Sequence, residues 1–88
     1  MNKALGLLET RGFTGLAVAT DAMLKSASVE LVKQIAIGGG FITTVVTGDV
    51  GSVKASVEVG TETAKSAGEF VSSHIIPRPH EELDGLFK

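Results

Sequence analysis

The sequence predicts an α+β fold of the ferredoxin-like kind. Four strands and two helices follow the order β-α-β-β-α-β, with both helices on one face of an antiparallel sheet. Three observations carry that expectation. Hydrophobic spacing switches four times between strand-like and helix-like along the chain. Three consecutive glycines, Gly38 to Gly40, separate two strand-like runs, as a hairpin requires. Asp49, just beyond the second run, is a good helix N-cap.

The elements follow in order. Lys3 to Glu9 is short and apolar, ends at Thr-Arg-Gly, and reads as a strand. From Gly12 to Ala27 the period changes, and Phe13, Leu16, Thr20, Met23 and Ala27 recur at helical spacing. Asp21 and Lys25 form an i,i+4 pair on its polar face. Val29 to Ile37 alternates again, with Val29, Leu31, Ile35 and Ile37 on one side and Lys33 as the exception. Phe41 to Thr47 is rich in β-branched residues and reads as a strand. A second helix then runs to about Ala67. Val50, Val53, Val57, Gly60, Ala64 and Ala67 line one face, and Lys54, Glu58, Glu62 and Lys65 the solvated one. Gly68 marks its end. Phe70 to Ile76 is the last strand, closed by Pro77 and Pro79. A short helical turn is expected in the C-terminal stretch from His80 to Phe87.

With 88 residues the chain reads as a single domain, residues 1–88. Hydrophobic residues make up 43 % and charged residues 20 %, and the mean hydropathy is +0.30. That is apolar for a small soluble monomer and implies burial against other chains. The formal charge of −2 and the scattered basic residues argue against nucleic acid. An RNA-binding module would also need an aromatic platform on its central strands. The absence of cysteine removes disulfide and thiolate chemistry and fits a cytosolic setting. No signal peptide is evident, and no apolar run approaches the roughly 20 residues of a membrane span.

Few residues suggest chemistry. Gly38 to Gly40 either permit a tight turn or leave room for something to approach the backbone closely. They are no phosphate loop, because no Lys-Ser or Lys-Thr pair follows. His74 on the last strand reads as a packing residue. His80 with Glu81 and Glu82 does not match zinc spacing, so no metal and no cofactor is expected. Neither a nucleophile–base set nor paired buried carboxylates are evident, so the chain is not expected to be an enzyme. Taken alone, Lys25 is an exposed helix lysine and Arg78 a surface arginine.

Four blocks occur in order: "ALGLLETRG", "ATDAMLKSASVELV", "GGGFITTVVTGDVGSVKASVEVG" and "HIIPRPHEEL". Together they resemble the shell proteins of bacterial microcompartments that carry a single shell (BMC) domain. They are most similar to the major hexameric tiles of propanediol- and ethanolamine-utilisation compartments. The resemblance spans Ala4 to Leu83. It implies the BMC fold and a cyclic hexamer that tiles edge to edge into a shell in the bacterial cytoplasm. It also implies a central pore for passive passage of small polar metabolites. Ile37, Gly38, Gly39 and Gly40 match the pore loop, with Gly39 at the constriction. Lys25 and Arg78 match the residues that join hexamer edges. Ala36 stands where some relatives carry Lys, and Gly39 where some carry Ser, so the rim is less basic and the constriction lacks a hydroxyl. Implied partners are further copies of the chain, other shell proteins including pentameric vertex proteins, and targeting peptides of encapsulated enzymes. A small-molecule-binding regulatory domain of ferredoxin-like fold is the alternative. The sequence does not specify which pathway is enclosed.

Overall fold

The computed structural model describes residues 3–80. The order is β1 (Ala4–Arg11), α1 (Phe13–Ser26), β2 (Glu30–Gly38), β3 (Phe41–Gly48), α2 (Val50–Ser66) and β4 (Phe70–Ile76). The four strands form one sheet in the order β2-β3-β1-β4, with every neighbouring pair antiparallel. This is the expected plan. The expected C-terminal helical turn lies almost wholly on residues 81–88, outside the described residues, and its first residue, His80, is not helical.

Strand alternation decides which face meets the helices. Ala4 and Leu8 of β1 and Val46 of β3 join one core with Leu16, Ala19 and Met23 of α1 and Val53, Val57 and Ala64 of α2. Gly6 lies between them on the same face. A Cβ there would sit 2.7 Å from Val57 Cγ2 and 2.8 Å from Val53 Cγ1. Gly60 does the same between the helices, where a Cβ would meet Met23 Sδ at 2.6 Å. The small residues thus let α2 settle against both the sheet and α1. The core also holds a polar knot. The buried hydroxyls of Thr20 and Thr44 share a hydrogen bond of 2.9 Å, and Gln34 Nε2 donates to Thr44 Oγ1 at 3.2 Å.

Several sequence expectations need correction. Phe13 is 63 % exposed. The buried stripe of α1 is Gly15, Leu16, Ala19, Thr20 and Met23, because Leu16, Ala19 and Met23 pack into the core against the sheet and α2. On α2 the terminal residues Val50 and Ala67 are exposed, while Ser56 is buried in the middle of the face. Ser56 Oγ has no hydrogen-bond partner. In β2 the predicted row is split by a bulge. Leu31 falls in register with Val46, but Lys33 pairs with Val45 and Ile35 with Thr43. The extra residue shifts the alternation, so Gln34 rather than Lys33 or Ile35 reaches the helix side; Leu31 and Ile37 are both exposed.

The cap at Asp49 forms as expected. Its carboxylate accepts from Ser52 N at 2.9 Å and from Ser52 Oγ at 2.8 Å. The backbone N–H of Ser52, and then its hydroxyl, hold the Asp49 carboxyl below its usual range. At the other end of α2, Gly68 takes φ 74° and its N–H donates to Lys65 O at 3.0 Å, which closes the helix.

Candidate functional site

Ile37 to Gly40 form the end of β2 and the turn into β3. Gly38, Gly39 and Gly40 all have positive φ, at 90°, 64° and 82°. The turn itself therefore calls for glycine at each position. All four residues are exposed, Ile37 to 60 %. A Cβ on Gly38 would meet nothing within 4 Å, so the loop faces open space at that residue. The loop is not slack, because Gly12 N donates to Gly40 O at 2.7 Å and ties it to the corner between β1 and α1.

The surroundings of the loop include two residues that sequence reasoning passed over. The register puts Arg11 opposite Phe41 and Phe41 opposite Gly38, one row across β1, β3 and β2. The Arg11 guanidinium lies 5.9 Å from the centre of the Phe41 ring, within cation–π range. The ring edge is 3.4 Å from where a Cβ on Gly39 would stand. The Thr-Arg-Gly triplet was read only as the end of a strand. Its strand propensity says nothing about which loop lies across the sheet.

Lys25 lies in the last turn of α1. Its Nζ pairs with Asp21 Oδ2 at 2.8 Å, the only ion pair among the described residues. The pair is exposed, and the hydrogen bond that Lys25 donates to Asp21, then the charge of that carboxylate, raise the Lys25 pKa. Arg78 follows β4, exposed between Pro77 and a buried Pro79 that anchors the turn.

The pairing registers sort these positions. Arg11, Phe41 and Phe70 mark one end of the sheet; Leu5, Ile76, Thr47 and Glu30 mark the other. The glycine loop belongs to the first end. Arg78, just past Ile76, and Lys25, a few residues before Glu30, belong to the second. A strand of this length separates the ends by roughly 25 Å. The loop and the two long cations thus do not form one site; they occupy opposite ends of the subunit. Among the described residues no group of three or more His, Asp or Glu side chains is arranged to hold a metal ion. None of the described helices is long and apolar enough to cross a membrane.

A four-stranded sheet with a glycine corner at one end and long cations at the other defines a small α+β building block. The BMC domain matches residues 4–79, and the chain belongs to that family, the shell proteins of bacterial microcompartments. It is 49 % identical over 85 residues to the bacterial microcompartment shell protein EutM of Salmonella typhimurium, covering 97 % of this chain and 88 % of EutM. It is 51 % identical over 83 residues to the carboxysome shell protein CcmK2 of Thermosynechococcus vestitus, covering 92 % and 81 %. The crystal structure of a microcompartment protein from Desulfitobacterium hafniense superposes with a TM-score of 0.89 at 40 % identity. That match covers 97 % of this chain and 48 % of the other, so this chain spans about half of that protein's length. The protein is a structural component of a microcompartment shell rather than an enzyme. Its similarity to EutM and to a carboxysome protein is of the same size, so identity alone does not choose the compartment.

Proposed function

We propose that the chain assembles as a cyclic hexamer that tiles edge to edge into the shell, with the glycine loops of six copies around a central pore. The observation that carries this reading is the separation of the two ends of the sheet. A wedge in a ring has an inner end and an outer end. The glycine corner suits the inner one, where six backbones converge and any larger side chain would obstruct the opening. Glycine there also exposes backbone N–H and C=O groups to a small polar metabolite crossing passively. Lys25 and Arg78 suit the rim. A lysine stem packs along a neighbour's surface while its ammonium reaches a carbonyl, and an arginine held between prolines offers several fixed donors.

The exposed Phe13, Val18, Leu31, Ile37 and Val71 fit the same reading, since contacts between copies would cover apolar side chains that water now touches. A sheet made only of hexagonal tiles stays flat, so a closed shell in the bacterial cytoplasm also needs five-fold units at its vertices. Peptides that direct enzymes to the shell are a further class of partner.

The edge role is tested with Lys25→Ala. The variant should elute as the same oligomer as the parent but fail to form sheets or tubes in electron micrographs. Sheets of ordinary size and order would remove Lys25 from the edge. Repeated contacts amplify a small loss, because each tile is held on several sides at once.

A further inference from the structure

We infer that Arg11 sets the charge preference of the opening, acting on small anions from the row beside the glycine loop; the inference rests on the pore reading above. Arg11 Cγ lies 3.9 Å from where a Cβ on Gly40 would stand, and its guanidinium is steadied over Phe41, whose ring adjoins Gly39. The adjacent N–H of Gly12 holds the Gly40 carbonyl. Arg11 is thus placed beside the loop by the Gly12–Gly40 hydrogen bond of its backbone neighbour and by Phe41.

Its charge is also left uncompensated. Glu9, two residues back on the same strand, turns its Oε1 to the Ser72 hydroxyl at 3.2 Å. Glu69 bonds to Arg11 through its backbone carbonyl only, at 2.9 Å. Its carboxyl is tucked against Gly12 and Gly15 at the start of α1, where the positive end of the helix dipole offsets it. Neither carboxylate comes within ion-pair distance of Arg11, since the only ion pair among the described residues is Lys25–Asp21. The nearest cation on β2, Lys33, pairs with Val45, further down the sheet from the loop. Screening in physiological salt extends over about 8 Å, comparable to the reach from the guanidinium across Phe41 to Gly39. Copies of one cation around an axis, in a narrow opening walled by protein, add their fields and favour anions.

The test is the reversal potential of single-channel current through the purified oligomer in a planar bilayer, under a potassium chloride gradient. The parent should prefer chloride, and Arg11→Gln should lower the chloride-to-potassium permeability ratio by about threefold or more. Arg11→Lys should keep most of it. In 1 M salt, where screening shortens to about 3 Å, the parent should lose its preference; this arm needs no variant. Gly39→Asn serves as the reference for the opening, because asparagine tolerates positive φ. If Gly39→Asn changes conductance but Arg11→Gln leaves the permeability ratio unchanged, Arg11 has no such role and the pore stands. If Gly39→Asn changes nothing, the pore reading itself fails and this inference falls with it.

Discussion

Individual side chains in this chain act mainly by how little space they occupy. Gly6 is the sharpest case, because the Cγ atoms that a Cβ would strike belong to Val53 and Val57, and β-branched side chains cannot swing aside. Gly6→Val should therefore push α2 off the sheet and cost about 2 kcal/mol, read as a lowered urea midpoint. Thr20 acts through its hydroxyl. Thr20→Val keeps the volume but leaves Thr44 and Gln34 without their shared partner, and should cost about 1–2 kcal/mol in the same measurement. Asp49 acts through its charge. Its carboxyl pKa is lower in the folded chain than in the unfolded one. The stability it contributes is therefore fully present above the ordinary carboxylate pKa and is lost as pH falls through the depressed folded value. Asp49→Ala should lower the melting temperature by a few degrees at neutral pH, with the gap from the parent closing in acid. A gap that stays constant down to low pH would show that the cap's charge is not what matters.

Most of the secondary structure was legible in the chain itself. The end of α2 was marked by Gly68 and its start by Asp49. The β4 span from Phe70 to Ile76 was read to the residue, because Gly68 and Pro77 punctuate it on both sides. What the sequence hid has a common cause, namely contact between distant segments. The bulge after Leu31 depends on β2 finding its register against β3, and no local preference announces it. Phe13 is exposed because Leu16, Ala19 and Met23 take the face that meets the distant strands and α2. The candidate site was legible in part for the same reason. The glycine turn is visible as three letters, but its tie to Gly12 and the approach of Arg11 across Phe41 exist only once β1 and β3 pair. The proposal that Lys25 and Arg78 stand at an edge comes from the family resemblance, because periodicity does not reach it.

The assembled molecule gives these details their meaning. An isolated subunit leaves large apolar side chains in water and ends in an exposed glycine corner, with open space beside Gly38. Closing a ring of copies would account for both. Lys25 is already engaged by Asp21 within the chain, but an exposed i,i+4 pair of this kind is weak. An edge contact can therefore recruit the lysine at little cost. Contacts along an edge need not be strong individually, and this makes a large sheet sensitive to single substitutions at the rim.

The central claim, that copies surround an axis with the glycine corner innermost, is open to direct test in a chain without cysteine. Ile37 is exposed beside the loop and can be replaced by cysteine and spin-labelled. Pulsed electron paramagnetic resonance on dispersed particles should then give short distances between copies, in the pattern of a six-membered ring. A label that senses no other copy, or pairs found only in twos, would contradict the account.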